Sequence, residues 1–110
     1  MYASIRKYDI IPGTSKEFLQ RVQEGFVPII NQMPGFVAYY VLEVGKNQVI
    51  SISLFDTQAG AEASVKRAAD WVARHLVPFL QGYPEITVGQ VRISQQSRWY
   101  TAMIPPQIES

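Results

Sequence analysis

Residues 36–55 read FVAYYVLEV-GKN-QVISISLF. Two runs rich in β-branched and aromatic residues, 36–44 and 48–55, are joined by three polar or glycine residues. That pattern is a β-hairpin closed by Gly45-Lys46-Asn47. A hairpin alone is marginal in water. Its neighbours therefore decide the fold, and each side offers a helix followed or preceded by one more strand.

On the N-terminal side, Phe18, Val22, Phe26, Ile29 and Met33 fall on one face of a 3.6-residue period. Thr14 and Glu17 form the T-x-x-E pattern of a capping box. Gly25 and Pro28 interrupt the run. Pro28 has no N–H for the carbonyl of Glu24, so the sequence predicts a kink or a break there, and an end before Pro34-Gly35. Further upstream, residues 2–11 (YASIRKYDII) have strand character and stop at Pro12-Gly13. On the C-terminal side, Asp56 or Thr57 can cap a second helix whose stripe is Ala61, Val65, Ala68, Val72 and Leu76, ending at Pro78 and Gly82. Residues 86–94 (ITVGQVRIS) supply a last strand. The order βαββαβ is the ferredoxin-like, split βαβ motif. It predicts an α+β fold, a four-stranded antiparallel sheet with two helices on one face. Residues 1–94 form that domain. Residues 95–110 are a tail carrying Trp99, Tyr100, Met103 and Ile104, apolar enough to dock on the body or on a partner subunit, or else disordered.

Composition narrows the function. A chain of 110 residues, 47% hydrophobic and 17% charged, suits one globular domain. The net charge of +1 carries no basic or acidic block, which argues against nucleic acid and against an anionic membrane as partners. No cysteine is present, so disulfides and thiolate chemistry are excluded and a reducing compartment fits. Neither a signal-peptide pattern nor an apolar run of about 18 residues is visible. A cytoplasmic location is expected.

Strand alternation sorts the sheet residues into two sets. One is strictly aliphatic: Ala3 and Ile5, Ile50, Ile52 and Leu54, Val91 and Ile93. The other mixes Tyr2, Ser4, Arg6 and Tyr8 with Val49, Ser51, Ser53 and Phe55, and with Val88, Gln90 and Arg92. The aliphatic set is expected under the helices. The mixed set would then form an outer face too apolar to stay wet. Covering three of its aromatics has a gross transfer term of roughly 11 kcal/mol. The natural cover is the same face of a second copy, a two-fold homodimer.

Chemistry has few places to reside. The single histidine, His75, lies four residues after Trp71 in the second helix. Taking Val72 as the centre of the buried stripe, Trp71 falls about 100° and His75 about 60° to the same side. The pair borders the helix–sheet seam, which is either a packed edge with its indole N–H on a carbonyl or the mouth of a pocket. There is no G-x-S-x-G elbow, no H-x-x-x-H or E-x-x-H spacing, no G-x-G-x-x-G and no G-x-x-x-x-G-K. No metal and no dinucleotide is implied. Tyr39 and Tyr40 point to opposite faces, so either could orient an aromatic ligand or simply belong to the core.

The order YASIRKYDIIPGTSKEF, PGFVAYYV, VISISLFDTQAGAEAS and AADWV, over residues 1–94, resembles the antibiotic biosynthesis monooxygenase (ABM) domain family of dimeric α/β barrels. The resemblance implies a homodimer with packed sheets. In some members it implies an oxygenase without cofactor, acting on an aromatic polyketide or quinol-type substrate that activates O₂ itself. Trp71 matches the tryptophan of the family's second helix. Arg67 stands where those oxygenases place an asparagine one turn earlier, and Arg92 is the nearest match to their last-strand arginine. The haem-degrading relatives use an asparagine on strand one, where this chain has Ser4 and Arg6, so haem degradation is disfavoured. Two readings stay open. One is a cofactor-independent monooxygenase, with Trp71 and Tyr39 or Tyr40 as ring-stacking walls, His75 as base or oxyanion partner, and Arg92 stabilising the anion. The other is a non-catalytic domain of the same fold that binds a small ligand or serves assembly.

Overall fold

A computed structural model of the single chain describes residues 1–97. The tail expected at 95–110 falls almost entirely outside the described residues. Strand β1 (Tyr2–Asp9) leads into helix α1 (Ser15–Arg21), a π-helical turn (Val22–Phe26) and helix α2 (Val27–Ile30). Strands β2 (Phe36–Val44) and β3 (Gln48–Phe55) form the hairpin, followed by helix α3 (Gln58–His75), a 3₁₀ turn (Val77–Phe79) and strand β4 (Glu85–Gln90). The sheet order is β2-β3-β1-β4 with every pair antiparallel. Both helical stretches pack on one face. This is the α+β, ferredoxin-like βαββαβ fold expected from the sequence. Strand β4 ends at Gln90, earlier than the expected 94. No helix among the described residues is long and apolar enough to cross a membrane.

Gly25 and Pro28 do not break the first helix. They fall in and just after the π-turn, which widens the coil and lets the chain run on into α2 with Pro28 in its first turn. The wide turn also aligns the buried residues at a constant spacing of four: Phe18, Val22, Phe26 and Ile30. Ile29 and Met33, expected on that stripe, are only half-buried. The capping box does not form. The Thr14 hydroxyl instead donates to the carbonyl of Ile11 at 2.6 Å. At α3 the expected cap does form, with the Thr57 hydroxyl accepting from the N–H of Gly60 at 3.0 Å.

The sheet faces are the reverse of the expectation. Ser4, Arg6, Tyr8, Val49, Ser51, Ser53 and Phe55 are buried beneath the helices. Of the aliphatic set, Ala3, Ile5, Ile50, Ile52 and Leu54 form the outer face, in rows fixed by register, while Val91 and Ile93 lie beyond the end of β4. Ala3, Leu54 and Ala38 lie across one row; Ile5, Ile52 and Tyr40 across the next; Lys7, Ile50 and Leu42 across a third. The physical reason is that the helices bring their own bulk. Phe18, Phe26, Trp71, Val72 and Leu76 fill most of the interior, so small serines fit under α3 where branched aliphatics would overpack. In this chain Ile5 stays 39% exposed, Tyr40 46% and Leu42 45%, a continuous apolar surface. The outer face is apolar, but Tyr8, Val49 and Phe55, expected to make it, lie beneath the helices instead.

Candidate functional site

The polar residues turned inward do not scatter through the core. They meet at one small chamber between β1, β2, β3, the π-turn and α3. Its floor is Ser4, Arg6 and Tyr8 from β1 with Ser51 and Ser53 from β3, and Tyr39 enters from β2. Cross-strand pairing sets this cluster, because Ser53 is opposite both Ser4 and Tyr39, and Arg6 is opposite Ser51. The roof is aromatic. Trp71 packs on Phe26 with ring centroids 5.5 Å apart, and Phe26 on Tyr39 at 5.8 Å. Ser64 completes the lining from α3, its hydroxyl donating to the Ala61 carbonyl at 2.6 Å.

Arg6 is the unusual member. It is only 4% exposed. Its Nη2 donates to the carbonyl of Val65 on α3 at 3.0 Å, and a second hydrogen bond goes to the Tyr8 hydroxyl. No salt bridge involves it among the described residues, where the ion pairs are Lys7–Glu85, Arg21–Glu17, Arg67–Asp70 and Arg74–Asp70. An arginine does not lose its proton in a protein, so a cation sits in the interior facing neutral acceptors. Burial raises the Tyr8 phenol above its ordinary value, opposed by Arg6 and by hydrogen bonds from Arg6 and Ser51. Burial likewise pushes Tyr39 well up, reinforced by Tyr8 and opposed by Ser51 and Arg6. Both phenols therefore keep their protons at neutral pH and remain donors. None of the lining residues is a carboxylate, lysine or histidine. Among the described residues no three His, Asp or Glu side chains come together as a metal would need.

The chamber leaves about 20 Å³ for the centre of a water molecule, enough for about one water and too little for an aromatic ring. A groove of about 440 Å³ runs between the first helix and β2; grooves of about 450 and 430 Å³ lie elsewhere on the surface, so what sets this one apart is that it adjoins the chamber. Val22, Tyr39 and Val41 line both spaces, so these three side chains are the partition between groove and chamber.

The residues singled out from the sequence divide. Trp71 and Tyr39 line the chamber. Trp71 is buried to 7% exposure rather than at a border, because the buried side of α3 runs through Ala61, Ser64, Trp71 and Val72, while Val65 and Ala68 are half-buried. His75 is exposed at the end of α3 and stacks on Trp71 with centroids 5.1 Å apart; it does not line the chamber. Tyr40 is on the outer face. Arg92 is exposed beyond the end of β4, away from the chamber. Arg6, Tyr8, Ser51 and Ser53 were not singled out as site residues. The signal was present: an arginine and three serines in register with Tyr8, Val49 and Phe55 are poor material for a dry interface and good material for a polar chamber.

Gly25 holds Trp71 in place. A Cβ at this position would come 2.6 Å from Trp71 Cζ2. Gly25→Ala is expected to destabilise the fold by about 1–3 kcal/mol, an overpacking cost larger than the helix-propensity gain of about 1 kcal/mol. In a Trp71→Phe background the same change is expected to become close to neutral. Urea denaturation of the four proteins of that cycle measures the coupling.

Comparison with known proteins places these features in a family context. The family model described as antibiotic biosynthesis monooxygenase matches residues 1–69. A search of curated proteins finds no match. Among solved structures, the chain is similar to the NE2512 protein of unknown function from Nitrosomonas europaea, with 18% identity, a TM-score of 0.75, and coverage of 87% of this chain and 93% of that one. It is also similar to a monooxygenase from the gene ActVA-Orf6 of Streptomyces coelicolor, solved in complex with nanaomycin D (16% identity, TM-score 0.69, coverage 87% and 91%). A third is SnoaB, a cofactor-independent oxygenase from Streptomyces nogalater (12% identity, TM-score 0.68, coverage 87% and 97%). At these identities the structural likeness speaks for the fold.

Proposed function

The chain belongs to the antibiotic biosynthesis monooxygenase family, and on that premise we propose that it is a cofactor-independent monooxygenase acting on a small aromatic or quinol-type molecule. One observation carries this reading: aromatic walls, neutral hydroxyl donors and a buried cation converge on one chamber beside a ligand-sized groove. A substrate anion R₂CH⁻ can pass one electron to O₂, and the two radicals combine into a C–O bond. The resulting peroxide takes up one proton and loses water, giving R₂C=O. One oxygen atom enters the product and the other leaves as water, with the substrate as sole reductant. The protein's task is to hold the anion, exclude water and stabilise charge with preorganised donors. Tyr39 and Trp71 are the walls. The cationic role expected of Arg92 passes to Arg6.

The homodimer belongs to the same proposal. Ile5, Ile50, Ile52 and Leu54, with Tyr40 and Leu42, give the outer face the self-complementary apolar character that a two-fold contact requires.

The second reading, a non-catalytic binding domain, draws support from His75 standing outside the chamber. Oxygen-electrode traces with a panel of naphthohydroquinones and anthrone-type ketones, substituted so that each is ionised at the assay pH, separate the two. O₂ uptake above the autoxidation of buffer and heat-denatured protein is expected. Traces equal to those controls across the panel would remove the oxygenase. Ligand-dependent melting shifts without uptake would leave the binding domain in its place.

A further inference from the structure

We propose that the ligand reaches this chamber already ionised: it carries an anionic oxygen, a carboxylate or an acidic enolate, and Arg6 is its counter-ion. The inference rests on reading the chamber as the ligand site. A buried guanidinium that faces only neutral acceptors is a costly arrangement, since hydrogen bonds to the Val65 carbonyl and the Tyr8 hydroxyl do not cancel its charge. Nothing in the packing demands it. An unbranched apolar side chain of similar length could occupy the same slot between β1 and α3 at lower cost. What Arg6 lacks is an anion, and the space left beside it has the size of an oxygen atom or a water, not of a ring.

The lining also contains no group able to remove a proton. Arg6 offers only donors, and burial holds the Tyr8 and Tyr39 phenols protonated at neutral pH. Seryl and tyrosyl hydroxyls can donate to an anionic oxygen but cannot create one. A neutral phenol entering here would find no base, whereas an ionised one would find a cation and several donors. The adjoining groove gives the ring system its place. With the aromatic body against Tyr39 and Val22, an acidic oxygen on its edge would meet Arg6 once the side chains of Val22, Tyr39 and Val41 part. Arg6 is thus a specificity-determining residue for anionic over neutral members of one ring class.

Two probes test this without a known substrate: 2-hydroxy-1,4-naphthoquinone, an anion at pH 7.5, and its neutral methyl ether. Calorimetric titration of the native protein is expected to favour the anion by roughly 10- to 100-fold, the range of a charged hydrogen-bonded contact. In Arg6→Met the preference is expected to vanish while the ether still binds, and the melting temperature is expected to stay level or rise. A residue with only a structural role would show the opposite, a lower melting temperature and an unchanged preference. Arg6→Lys, which keeps the charge and loses the planar fork, is expected to retain part of the selectivity and covers the case in which the methionine variant does not fold. Equal affinity of the native protein for both probes, or a preference that survives in Arg6→Met, overturns the assignment. Failure of both probes to bind at millimolar concentration overturns it together with the ligand-site reading. Selective binding without O₂ uptake supports it and removes only the oxygenase.

Discussion

Trp71→Ala is expected to destabilise the fold by about 3–5 kcal/mol, the range for deleting a large buried aromatic. The indole is 7% exposed, packs on Phe26, and rests against the bare backbone of Gly25. Removing it leaves a cavity that cannot collapse easily, because the π-turn on one side and the floor of β1 and β3 on the other are held by their own hydrogen bonds. For a domain of this length the loss corresponds to a fall in melting temperature on the order of 15 °C or more. The chamber loses its roof in the same step, so the site fills with water and any turnover falls with it. Trp71→Phe keeps an aromatic wall and is expected to lose at most about half as much stability. Differential scanning calorimetry of the three proteins checks the ranking. A Trp71→Ala variant that melts within a few degrees of the native protein would mean that the indole is not the keystone between α3 and the first helix.

Ile52→Asp is expected to turn a dimer into a monomer. Ile52 is at the middle of the outer face, opposite Ile5 on one side and Tyr40 on the other. In a two-fold contact each substitution appears twice. Two unpaired carboxylates in an apolar interface, at about 3 kcal/mol each, weaken association by roughly 10⁴-fold. Light scattering at micromolar concentration is expected to give twice the 12.4 kDa chain mass for the native protein and the single-chain mass for the variant. A native protein that stays monomeric would leave this face without its proposed cover. Because Ile52 points away from the chamber, probe affinity in the variant is expected to change far less than its mass.

The hairpin at 36–55, the two flanking helices and the outer strands were legible because each carries a local signal: alternation, the Gly45-Lys46-Asn47 turn, the Thr57 cap, the spacing of Phe18, Val22 and Phe26. Facing direction was not legible in that way. Alternation separates Ile50, Ile52 and Leu54 from Val49, Ser51 and Ser53, but it does not say which set meets the helices. The usual rule, that the more aliphatic set is the core, failed because both faces of this sheet are largely apolar and the inner one also holds the chamber. The π-turn was hidden for a related reason. Gly25 and Pro28 mark a disturbance, but whether a helix breaks or widens there depends on what packs against it, here Trp71. Trp71 and Tyr39 could be found from the sequence as large aromatics near a seam. Arg6 could not be ranked above Arg92, because burial, the property that distinguishes them, arises only when α3 lies across β1.

The central claim is that the helix-facing side of the sheet, and not its outer side, receives the ligand. Two-dimensional ¹H–¹⁵N spectra recorded while the anionic naphthoquinone is titrated in test it most directly, with the Trp71 indole signal assigned by the Trp71→Phe variant. The expected result is a progressive shift of the Trp71 indole N–H and of the Arg6 and Tyr39 signals, while Lys46 and Asn47 in the hairpin turn stay still. Shifts centred on Ile5, Ile52 and Leu42, with the Trp71 indole unmoved, would contradict it.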